Sequence, residues 1–256
     1  MTAHRHLRRI TALAAVAAGI ALSGCSAAAS PEVEPVAAEP AESTASTRAL
    51  DPVSGEGPTG FPGVAFPIPE DARSVSIAFH CDGDGAFSVE LGDSMMLGQS
   101  PLSGTCGEPH SLSWPIESRT APTLAVQLDA GAIWTAEPTF STAEFAVDEA
   151  LVAECAAFSE VSSALMNADV GLTQYAAFDE TAWRERVQGA TVELGELAAA
   201  STTELSAALT QLHGELSATT PAPGTAYRAL EPGFVVIGAA CAENQSPIVL
   251  HGEFGG

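Results

Sequence analysis

Histidine, cysteine, carboxylate and tryptophan side chains could carry chemistry in this chain, and their spacing narrows what that chemistry is. The run DGDGAFSVELGD at residues 82–93 starts like a calcium loop, in which alternating carboxylates converge on one ion. That loop needs Asp or Asn at its fifth position and Gly at its sixth. Here Ala86 and Phe87 stand there, so the run reads as a turn. His80, His110, His213 and His251 lie far apart, and neither an HExxH pair nor closely spaced cysteines provide a zinc set. No GxSxG elbow and no phosphate-cradling glycine loop occurs. With 32 acidic residues, some carboxylates must fall close together by chance, so no pair is assigned to glycoside chemistry. No catalytic residue, metal ligand or cofactor is assigned. Trp114 shares parity with Leu112 and Ile116 and reads as core. Trp134 is out of parity with Ile133 and is kept as a weak ligand-binding candidate, an indole that could stack on a sugar ring.

Composition bounds the rest. The 256 residues suffice for one or two domains with real cores. The 46% hydrophobic content is rich in alanine and only 6% of residues are aromatic, so modest cores are expected. All nine basic residues are arginine, and the net charge is -23. A nucleic-acid partner is excluded on that balance, since a phosphate backbone demands a cationic face. Arg5, Arg8 and Arg9 precede an apolar run at residues 10–22, and the first acidic residue is Glu32. That layout is a secretory signal; a spanning helix needs about 20 apolar residues.

The signal closes on LSGC, residues 22–25. This stretch resembles the lipobox of bacterial lipoproteins, which implies cleavage before Cys25 and acylation of that cysteine, palmitate included. Arg8 and Arg9 resemble a twin-arginine signal only weakly, because Thr11 stands where that motif favours an aromatic. Cleavage removes three of the nine arginines and none of the 32 acids, leaving a body near -26. Anionic lipid repels such a body, so inserted acyl chains must hold it to the bilayer. The whole layout resembles cell-envelope lipoproteins of actinobacteria, which implies a place on the outer face of the cytoplasmic membrane. The expected function is a non-catalytic binding role toward another envelope protein. The alternative is a glycan- or wall-binding sandwich, or an enzyme acting on wall polymers.

The elements that position these residues are set by hydrophobic period. Residues 25–69, with eight of the seventeen prolines, read as a disordered tether, of which residues 60–70 are apolar enough to pack in part on the first domain. From Ser74 the alternation has period two. Val75, Ile77 and Phe79 face Phe87, Val89 and Leu91 across CDGDG as a hairpin, and further alternations end near Ile133. After Val147 the period becomes helical, through Leu151, Cys155, Phe158 and Leu165, then through Trp183, Val187, Ala190, Leu194 and Leu197. Ser201 and Glu204 read as a capping box before Leu205, Leu209 and Leu212, with Gly214 as a stop unless Leu216 extends the helix. Residues 232–243 fit a last helix, and FVVIG within them equally fits a strand. The fold class is therefore α+β: a signal at 1–24, the tether at 25–69, a small antiparallel β-sandwich at 70–147, and an antiparallel helical bundle with a tail at 148–256.

Export places the remaining cysteines where disulfides persist. Four cysteines allow three connectivities, and closing each bridge within its own domain selects Cys81 with Cys106 and Cys155 with Cys241.

Overall fold

The computed structural model describes residues 45–254. Its strands are β1 (Thr47–Ala49), β2 (Val53–Glu56), β3 (Val64–Ala65), β4 (Ser74–Cys81), β5 (Ala86–Leu91), β6 (Leu102–Thr105), β7 (His110–Pro115), β8 (Thr123–Gln127) and β9 (Ile133–Ser141). One sheet runs β1-β9-β4-β7, with β2 continuing along the same edge of β9 as β1; the other runs β3-β8-β5-β6. Every pairing is antiparallel. The alternating apolar residues are buried as their parity requires: Val75, Ile77 and Phe79 from one sheet, and Phe87, Val89, Leu124 and Val126 from the other, fill a single core between the sheets. Burying one such side chain fully is worth about 1.5–3 kcal/mol.

Two expectations fail here. The CDGDG turn does not close a hairpin, since β4 pairs with β7 and β9 while β5 pairs with β6 and β8. Parity sends a side chain toward the core from either sheet, so period alone cannot say whether a short turn joins neighbours or crosses between layers. The turn between β8 and β9 crosses as well. Second, the tether expected to be disordered at 25–69 is structured over residues 47–69, while residues 25–44 lie outside the described residues. β1, β2 and β3 lie inside that range, whereas the expected packing of part of residues 60–70 holds, with Phe66 buried in the sandwich core. These strands bury little, and β1 is exposed throughout. Backbone pairing with β9 holds β1 and β2, so their composition carries no apolar signal.

The helices are α1 (Ser94–Leu97), α2 (Glu149–Thr173), α3 (Glu180–Ala200), α4 (Ser206–Ala218) and α5 (Glu231–Glu243). Asp148 caps α2 by accepting from the amides of Ala150 and Leu151, and Asp179 caps α3 from Thr181 and Ala182. Neighbouring contacts run α2 to α3, α3 to α4, α4 to α5 and α5 back to α2, which closes a four-helix bundle around Phe158, Leu165, Trp183, Leu194 and Leu209. Residues 232–243 are helical, with Pro232 at the first turn, where its missing N–H costs nothing. The capping box at Ser201 is corrected: Ser201 ends α3, and its hydroxyl donates to Glu154 at 2.7 Å instead of capping α4. Gly214 does not stop α4 either, because buried Leu216 carries the helix to Ala218.

The two layers cohere in one unit. Ala242 of α5 packs on the sandwich core. Just beyond α5, the side chain of Gln245 accepts from the Ser100 amide at 2.8 Å and donates to the Ser113 carbonyl at 3.4 Å. Gln245 holds φ at 55°, a left-handed conformation that side chains other than Gly, Asn and Asp rarely adopt.

Candidate functional site

Cys25 lies outside the described residues. The other four cysteines pair as expected, Cys81 with Cys106 and Cys155 with Cys241. Cys81 ends β4 and Cys106 comes just after β6, so the first bridge joins the two sheets; the second joins α2 to α5.

Trp134 is corrected as a ligand-stacking residue. It is 1% exposed, with its ring 6.2 Å from that of Phe79 in near-parallel stacking. Gly55 on β2 covers it so closely that a Cβ there would stand 2.9 Å from the indole. An indole without an open face offers nothing to a sugar. Ile133, its exposed neighbour, is on the solvent side, so the parity shift between them marks the side facing the core. Trp114 is buried as expected, and its indole N–H donates to the Ser100 carbonyl at 3.0 Å.

Among the described residues no group of three or more His, Cys, Asp or Glu side chains could hold a metal ion. His80, exposed near the end of β4, stands 3.5 Å from Asp82, and His110 bonds the Thr105 carbonyl oxygen at 2.7 Å.

An open groove of about 580 Å³ runs where sandwich and bundle meet, lined among others by Arg73, Gln99, Ile116, Glu117, Phe145 and Gln245. Gln99 is buried; its amide N–H donates to the Pro115 carbonyl at 3.0 Å, while its Oε1 has no partner. Arg73 makes no ion pair among the described residues. The groove thus combines a guanidinium, carboxylates and an apolar wall, a mixture suited to binding.

Sequence reasoning missed the polar residues buried along α2. Glu154 accepts from the Ser201 and Thr203 hydroxyls at 2.7 and 2.6 Å and from the Thr202 amide at 2.9 Å, fastening the α3–α4 loop. Burial alone would push its carboxyl up, but the hydrogen bonds from Thr203, Ser201 and Thr202 outweigh that and hold it below the ordinary carboxylate value. Asp169 accepts from the Trp183 indole and the Tyr227 amide, each at 2.8 Å. Ser159, Ser163 and Asn167 take the segment beyond α5. The only signal for these roles was small polar residues on the inward side of an otherwise apolar helix.

The chain matches no protein-family model, and no curated protein matches it.

Proposed function

We propose that the protein is an extracytoplasmic lipoprotein, anchored to the outer face of the cytoplasmic membrane through acylated Cys25, whose disulfide-bonded body binds another component of the cell envelope. The lipobox-like LSGC at residues 22–25, behind Arg5, Arg8, Arg9 and a short apolar run, carries this reading. Two buried disulfides support it, because such bonds persist outside the reducing cytosol. The strongly acidic body supports a protein rather than a nucleic-acid partner and requires lipid insertion to stay at an anionic bilayer. We place the binding at the junction groove, where Arg73 and the Ile116–Phe145 wall stand together. The test is cell fractionation of Cys25→Ser beside the unaltered chain. The unaltered protein is expected in the membrane pellet and Cys25→Ser in the soluble extracytoplasmic fraction; a variant that stays in the pellet overturns the anchor.

A further inference from the structure

The segment after α5 is held on the bundle in the manner of a bound peptide. Its amides at Val249, His251 and Glu253 donate to Ser159 Oγ at 3.1 Å, Ser163 Oγ at 2.9 Å and Asn167 Oδ1 at 2.7 Å, and Asn167 Nδ2 donates back to the His251 carbonyl at 2.7 Å. The match is one of periods: four residues of helix rise about 6 Å, and two residues of extended chain span about 6.6 Å. The helix side chains are also set in advance. Ser159 and Ser163 donate their hydroxyl protons to the Cys155 and Ser159 carbonyls of their own helix, at 2.9 and 2.7 Å, which turns each oxygen outward as an acceptor. Such a ladder reads backbone N–H groups at alternate positions and is indifferent to the side chains between them.

Selectivity sits at the far end. Arg186 of α3 forms a two-pronged ion pair with Glu253, at 2.7 and 3.1 Å, and lies 4.6 Å over the Phe178 ring. Phe254 stacks on Tyr175 at 5.7 Å and meets Phe178 at 6.1 Å. Gly171 opens this slot, since a Cβ there would stand 2.8 Å from Phe254. Meanwhile Val249, Leu250, His251, Gly252 and Glu253 all remain exposed, so apolar packing ties the segment down only at its two ends, through Ile248 on the bundle core and Phe254 in the slot.

We propose that the α2–α3 face is a peptide-binding surface on which residues 247–254 sit as a resident, displaceable ligand. Its ligand class is an extended peptide with free amides at alternate positions and an acidic residue followed by an aromatic one. This goes beyond the envelope-binding reading and holds whether or not Cys25 carries lipid.

The probe is a fluorescein-labelled peptide PIVLHGEF, the sequence of residues 247–254, titrated by anisotropy into the full chain and into the full chain carrying Glu253→Ala. Weakening the resident removes competition, so the variant is expected to bind the probe at least about tenfold tighter than the unaltered chain. Adding Arg186→Ala, or methylating the probe amide that corresponds to His251, is expected to weaken that binding about tenfold again. Phe254→Ala serves as a second resident-weakening variant. A folded Glu253→Ala or Phe254→Ala chain that takes up no probe to about 1 mM overturns the proposal. So does a His251 amide that exchanges with solvent only on global unfolding, which would make the segment a fixed part of the fold.

Discussion

The sandwich and the bundle attach their irregular segments in opposite ways. In the sandwich the outlying pieces join by backbone pairing: β1 and β2 add to β9, and β3 adds to β8. In the bundle they join by side chains buried on one helix. Glu154 of α2 holds the α3–α4 loop, Asp169 holds Trp183 and the approach to α5, and Ser159, Ser163 and Asn167 hold the segment after it. The difference arises from geometry. A sheet edge offers free N–H and C=O groups, whereas a helix spends its own internally and can offer only side chains. Outlying segments on the sandwich should therefore tolerate substitution except at the close-packed Gly55, Gly57 and Gly63, and those on the bundle should be sensitive to single residues on α2.

The largest expected effects come from the bridges that close each half. In the chain-entropy model a bridge across 86 residues, Cys155 to Cys241, contributes about 4.6 kcal/mol, and one across 25 residues, Cys81 to Cys106, about 3.5 kcal/mol. Replacing both members of each pair by Ala, then unfolding in urea, should therefore cost the bundle more than the sandwich. The reverse order would show that native packing, rather than loop length, sets the contribution.

A smaller effect tests the polar spine. The Glu154 carboxyl is held below its ordinary value, so the folded state binds its proton less readily than the unfolded state. Its contribution is present above the unfolded value and is lost as pH falls through the folded one. Glu154→Gln should lower stability at neutral pH and flatten the acid side of the stability profile, measured by thermal unfolding from pH 7 to about pH 3. A parallel downward shift at every pH would mean that shape, not charge, holds the α3–α4 loop.

Smallest is a backbone effect on the bundle side. Ala176, in the turn after α2, holds φ at 45° and is exposed, and the Ala177 amide closes onto the Gly171 carbonyl at 2.8 Å. Glycine suits that conformation, so Ala176→Gly should raise stability by up to about 1 kcal/mol, readable as a rise in Tm.

Much of this architecture was legible in the sequence, and the illegible parts have one cause. Val75, Ile77 and Phe79 announced a strand, and Trp183, Val187 and Leu194 a helix, because burial imposes a period on side chains. The disulfide partners were evident once each half was recognised. What period cannot carry is pairing between backbones: it missed β1 and β2, took the CDGDG crossing for a hairpin, and left Trp134 in doubt although Gly55 lies over it. The buried acceptors on α2 escaped for a related reason. Their partners are amides of distant loops, which have no residue type to recognise, and Ser159 and Ser163 otherwise resemble ordinary helix surface. The junction groove depends on where α5 delivers Gln245, a placement that no local pattern in either segment encodes.

The attachment of β1 to β9 sets an order of events. The Ser46 amide donates to Thr142 Oγ1 across 96 residues, so the first strand of the sheet waits until nearly the last residue of the sandwich has been delivered. Such distant partners make for slow assembly, since the loop between them must be closed before any contact rewards it. Until β9 arrives, β4 stands with one unpaired flank, open to any strand of a neighbouring chain. Completion of β9 both fills that flank and takes in β1 and β2, the strands of this sheet that precede all its others in the chain.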